Sequence, residues 1–141
     1  MNYVVDASVA LKWVIDEADS DKARQLRGEF RNGTHFAFAP DFFAVECGHA
    51  VFRAERKRLI MPGQSPLLLA DLLLDCPQLC ESLPLVARAA TIASTTPVGF
   101  YDAIYLALAE QEGCEFVTAD IKLINHCSRV FPFVTDLASF L

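Results

Sequence analysis

Short β-prone runs alternate with helical stretches along the whole chain, and this alternation constrains the fold more than any other feature. "YVVD" near the start is an unbroken apolar run that ends on an acid, and it reads as a short buried strand. Residues 8–15 predict a short helix, and Ser20 is placed to cap a second helix running through Arg31 and ended by Asn32-Gly33. "FAFA" (36–39) predicts the next strand, and Pro40-Asp41 opens a helix to about Leu59. Pro62-Gly63 breaks the chain, and "SPLLLADLLLD" predicts a helix with Ser65 as its cap and Pro66 in its first turn. "LCESL" reads as a short strand, "PLVARAATIAST" as a helix, and "YDAIYLALAEQEG" as a helix stopped by Gly113. "EFVTAD" repeats the opening pattern of a strand ending on an acid, before a helix at 121–126 and a last strand near 131–135. Such alternation calls for an α/β chain: a central parallel sheet with helices on both faces, joined by right-handed crossovers. In these sheets ligands bind beyond the carboxyl ends of the strands.

With 141 residues, 53% apolar and 21% charged, the chain suits one compact domain over 1–141 rather than a disordered segment. Its longest apolar runs are too short to span a bilayer, and Asp6 falls where a signal peptide would be most apolar, so a cytoplasmic protein is expected. Five cysteines with no C-x-x-C spacing argue against a zinc site or a disulfide framework and read as small buried hydrophobes. The net charge of −6 disfavours a polyanionic partner. The charge is uneven, however: residues 1–70 carry nine basic and nine acidic side chains, and 71–141 carry three and nine. The basic residues concentrate in "DKARQLRGEFR" and "FRAERKR", runs that ordinarily form solvated helix faces.

Four acids stand out. Asp6 and Asp120 end strands, and each could cap the following helix. Glu46 sits in the apolar "PDFFAVECGHAVF", about one turn past the strand "FAFA", where a buried glutamate without a partner is costly. Asp102 opens the nearly all-apolar "YDAIYLALA", at a helix N-terminus that favours an acid in any case. All four are expected at one edge of the sheet, where they would repel one another with no sequence neighbour to neutralise them. Mg²⁺ or Mn²⁺, hard cations that prefer oxygen ligands, would resolve that conflict. The capping role of Asp6 is compatible with this, one oxygen facing helix amides and the other a cation.

Other chemistry has less support. Glu46 and His49 have the i, i+3 spacing of di-iron bundles, but no second such motif exists. His49 therefore reads as a helix residue packing or facing water, and His35 and His126 lack paired ligands. Neither nucleotide-binding glycine motifs nor a G-x-S-x-G elbow occur.

In "VVDASVALKW", "PDFFAVECGHAV", "YDAIYLALAE" and "FVTAD", taken in that order and spacing, the chain resembles the PIN-domain family, and within it the VapC-type toxins. The resemblance implies a three-layer α/β/α sandwich and metal-dependent cleavage of RNA. It also implies a homodimer and a small cognate antitoxin protein as partner. It matches Asp6, Glu46, Asp102 and Asp120 to catalytic, metal-binding acids, and Ser8 and Thr118 to hydroxyl positions that support them. For such an enzyme Arg53, Arg56 and Lys57, with Arg58, are candidates to guide the RNA backbone, although taken one at a time each reads first as part of a solvated helix face. Two other functions fit the same residues: a PIN ribonuclease without an antitoxin, and a non-catalytic binding module whose acids serve as caps and partner contacts.

Overall fold

The computed structural model describes residues 1–140. Five strands form one parallel sheet: β1 (Asn2–Val5), β2 (Phe36–Pro40), β3 (Gln78–Cys80), β4 (Glu115–Thr118) and β5 (Val134–Asp136), in the order β3-β2-β1-β4-β5. The helices are α1 (Ala7–Val14), α2 (Ser20–Arg31), α3 (Phe43–Arg56), α4 (Ser65–Leu73), α5 (Val86–Thr95), α6 (Phe100–Glu112) and α7 (Ile121–Cys127). Short 3₁₀ turns occupy Leu83–Leu85 and Leu137–Ser139. The chain steps outward from β1 through β2 to β3, then returns past β1 to build β4 and β5. Right-handed crossovers put the helices of the two halves on opposite faces, which makes three layers: α1, α2, α3 and α4 pack on one another, and α5 packs on α6.

The core is continuous through the sheet. Val4, Val5, Phe116 and Val117 are fully buried, as central strands covered on both faces must be. Seven consecutive residues of α6, from Ala103 to Ala109, are buried, so that helix lies inside the fold and needs its nearly all-apolar sequence. In α3 the buried residues are Phe43, Cys47, Val51 and Ala54, a single stripe that frees the opposite stripe for the cleft described below.

The alternation of strands and helices is as expected, but several boundaries moved for local reasons. Ser20 is the first residue of α2 rather than its cap; its hydroxyl accepts from Glu17 N at 2.9 Å and donates to the Ile15 carbonyl at 2.9 Å, closing the preceding turn. Ser65 likewise lies inside α4, its backbone N–H and hydroxyl both donating to Glu55 Oε1, at 3.1 and 2.8 Å. Helix α3 starts at Phe43 and stops at Arg56, because Arg58 turns left-handed (φ 60°) where glycine is usual. The strand expected at "LCESL" begins one residue earlier, at Gln78, and the last strand is confined to Val134–Asp136.

Two composition-based readings also change. Cys47 and Cys127 are buried, but Cys76 is exposed and Cys80 and Cys114 are only half-buried; all five are free thiols. "DKARQLRGEFR" is not simply a solvated face, since Arg27 is only 8% exposed. Its guanidinium donates to Asp75 Oδ2 at 2.6 Å, to the Asp71 carbonyl at 2.6 Å and to Asp71 Oδ1 at 3.1 Å, and lies 5.2 Å from the centre of the Trp13 ring. Arg31 adds further hydrogen bonds to the Asp75 carboxylate, so α2 is clamped to the end of α4. Among the described residues no helix is long and apolar enough to cross a membrane.

Candidate active site

The chain order reverses between β1 and β4, which lie side by side with Val5 opposite Val117. At such a switch point the two following segments diverge to opposite faces and leave a crevice at the carboxyl edge. Asp6 and Asp120 stand there for the same reason: each strand must end and each helix must begin, and an acid N-cap does both. Asp6 Oδ1 accepts from Ser8 N at 3.1 Å and Val9 N at 3.4 Å at the start of α1, and Asp120 Oδ1 accepts from Leu123 N at 3.1 Å in α7.

Two hydroxyls lace the strand ends together. Ser8 Oγ donates to Asp6 Oδ1 at 2.5 Å and accepts from Ala119 N at 2.9 Å. Thr118 Oγ1 donates to Asp6 Oδ2 at 2.6 Å and accepts from Asp120 N at 3.1 Å. Both oxygens of Asp6, which is only 6% exposed, are therefore fixed in direction. Asp6 Oδ1 faces the helix amides, as a capping oxygen should, and Oδ2, the oxygen expected to face a cation, also accepts from Thr118.

The opposite wall comes from two helices. Helix α3 turns Val45, Glu46, His49, Ala50 and Arg53 toward a cleft of about 700 Å³, joined by Phe42 just before it, and α6 contributes Tyr101, Asp102 and Tyr105. Asp6, Ser8 and Asp120 line the same cleft. All four acids singled out in the sequence thus share one concavity. Of the basic residues proposed to guide RNA, Arg53 reaches its lining; Arg56 at the end of the same helix and Lys57 just past it lie outside. Sequence reasoning passed over Tyr101 and Tyr105 and gave His49 no place at the site. The signal was present, because residues 42, 45, 46, 49, 50 and 53 repeat at helical spacing around Glu46, and Tyr105 follows Asp102 by three.

The electrostatics are those of crowded like charges. Burial, followed by the Asp6, Asp120 and Glu46 carboxylates, pushes the Asp102 carboxyl up to about 7. Burial also raises Glu46, partly offset by the Tyr105 hydrogen bond and reinforced by Asp6. Asp6 is raised by burial against the opposing pull of Ser8, Thr118 and the Val9 amide, with Asp120 adding to the rise. Among the described residues none of the four makes an ion pair, although Arg53 stands at the rim. The Asp102 carboxylate accepts no hydrogen bond there either. A set of carboxylate oxygens carrying uncompensated charge fits a hard divalent cation. No group of three or more acidic, His or Cys side chains among the described residues is already gathered to hold one.

Comparison with known proteins agrees with this architecture. No curated protein sequence matches the chain. Among solved structures, PAE2754 from Pyrobaculum aerophilum superposes with a TM-score of 0.69 at 23% identity, covering 99% of this chain and 94% of that one. VapBC2 from Rickettsia felis, solved bound to a DNA fragment from its promoter, matches with a TM-score of 0.67 at 12% identity, covering 96% and 98%. Mycobacterium tuberculosis VapC20, a Sarcin-Ricin loop cleaving toxin, matches with a TM-score of 0.65 at 14% identity, covering 99% and 96%. The sequence model of the PIN domain matches residues 3–127. With that match over most of its length and the fold these structures share, the chain belongs to the PIN domain family.

Proposed function

We propose that this protein is a metal-dependent endoribonuclease and the toxin of a toxin–antitoxin pair. The observation that carries the reading is the convergence of Asp6, Glu46, Asp102 and Asp120 on one cleft at the switch point of the sheet, without an ion pair among the described residues to balance them. The description of VapC20 as a Sarcin-Ricin loop cleaving toxin supports the substrate class, and the VapBC2 assembly supports a partner protein.

In this reading Asp6, Glu46, Asp102 and Asp120 hold Mg²⁺ or Mn²⁺. When bound, such a cation supplies Lewis acidity and positive charge for hydrolysis of a phosphodiester. The chain's own residues supply placement. Ser8 and Thr118 hold Asp6 by both oxygens and tie it to the Asp120 backbone. Ser8 Oγ is occupied between Asp6 Oδ1 and the Ala119 N–H as part of the clasp that holds Asp6, and the proposed route is direct attack by water on phosphorus. Arg53 at the rim is placed for a backbone phosphate. Tyr101, 64% exposed and braced edge-on by Phe42 at 5.1 Å, offers a face on which an unpaired base can stack. Leu59 and Met61, both exposed, line one groove suited to an apolar partner segment, which is where we place the antitoxin. A homodimer is part of the same proposal.

The experiment is RNA cleavage with Mg²⁺ or Mn²⁺. Activity is expected to vanish with EDTA, and to fall at least about 100-fold in Asp6→Asn. Cleavage by Asp6→Asn at the wild-type rate would overturn the site. Growth arrest on expression, relieved by co-expression of a small protein encoded beside this one, would establish the toxin role.

A further inference from the structure

Tyr105 is 1% exposed, yet its hydroxyl reaches the cleft and donates to Glu46 Oε1 at 2.6 Å. Its ring cannot swing away. It stacks on Phe116 of β4 at 5.4 Å between centroids with 10° between planes, and Phe42 meets it edge-on at 5.7 Å. Glu46, by contrast, is carried on a different helix by a long side chain with several rotamers to lose. The rigid partner therefore fixes the mobile one. Because Oε1 is taken, Oε2 is the oxygen left without a hydrogen-bond partner among the described residues.

We propose that Tyr105 is a positioning residue: its phenol holds Glu46 in the orientation in which the free oxygen serves the metal. This rests on the reading of Glu46 as a metal ligand. The phenol is the donor and the carboxylate the acceptor, so the bond fixes which oxygen of Glu46 is engaged. It also couples two ligands. Tyr105 lies one turn after Asp102 on α6, so the same helix that presents Asp102 sets the direction of Glu46 on α3. Partners that orient ligating carboxylates typically contribute about 10–100-fold in metal affinity.

The test is Mn²⁺ titration by calorimetry without RNA, on the wild type, Tyr105→Phe, Glu46→Gln and the double variant. Tyr105→Phe keeps the stacked ring, and circular dichroism checks that it is folded. We expect about 10–100-fold weaker Mn²⁺ binding in Tyr105→Phe, and no further loss when Tyr105→Phe is added to Glu46→Gln. Wild-type affinity in Tyr105→Phe overturns the proposal alone. An equal loss in the Glu46→Gln background also overturns it, because it would show that the hydroxyl acts through the fold rather than through Glu46. If the wild type binds no Mn²⁺, the metal reading fails and this proposal fails with it.

Discussion

Asp102 is the residue at which the cost of the site can be measured. Its carboxyl is pushed up to about 7 in the metal-free protein, against an ordinary value of 3.8. The folded chain then binds this proton more tightly than the unfolded chain does, so between about pH 4 and pH 7 the contribution of Asp102 to stability falls as pH rises. Asp102→Asn, which removes the charge and nearly keeps the shape, is expected to raise the melting temperature of the metal-free protein at pH 7.5 by several degrees. The difference from wild type should shrink toward pH 4, as scanning calorimetry with EDTA present would show. Saturating Mg²⁺ or Mn²⁺ should reverse the order, since only the aspartate gains from the cation. Stabilisation on loss of a charged group marks a site kept for function rather than for folding. Thr118→Val tests the neighbouring clasp: it removes the donor to Asp6 Oδ2 and the acceptor of Asp120 N while keeping the shape, and is expected to cost about 1–3 kcal/mol in urea unfolding.

At the level of elements, helix periodicity was legible and side-chain partnership was not. The stripe Phe43, Cys47, Val51 and Ala54 could be read as buried because its spacing is helical. The role of Arg27 could not, because Asp71 in α4 and Asp75 just past its end, which meet it, lie more than forty residues away. The same holds for Ser20 and Ser65, which look like caps in sequence and instead close turns through partners the sequence does not pair with them. Arg27→Met is expected to destabilise the protein by about 3 kcal/mol, because Asp75 stays enclosed and keeps only Arg31. Urea unfolding followed by circular dichroism measures this. RNA cleavage under conditions where the variant is folded should be unchanged, since the clamp is remote from the cleft.

Across the whole molecule, a net charge of −6 works against binding RNA, and the favourable charge is local. Arg53 lines the cleft, whereas Arg56 and Lys57 lie outside it. Arg53→Ala is therefore expected to raise KM more than it lowers kcat, and to reduce the salt slope of binding by about 1, while Arg56→Ala should do less on both counts. Cleavage assays at several ionic strengths separate the two.

The sequence by itself determined the class of fold and the four acids. Those follow from local chemistry: β-prone runs that stop on an N-capping acid, helices with one apolar stripe, and charges set in apolar surroundings that demand an explanation. Only the tertiary structure decided which groups meet. The return of the chain past β1 brings Thr118 to Asp6 across more than a hundred residues, and the placement of α6 and α3 about one cleft brings the Tyr105 hydroxyl to Glu46. Hydrogen bonds of about 2.6 Å depend on the relative placement of elements to within a fraction of an ångström, and residue periodicity carries no such information.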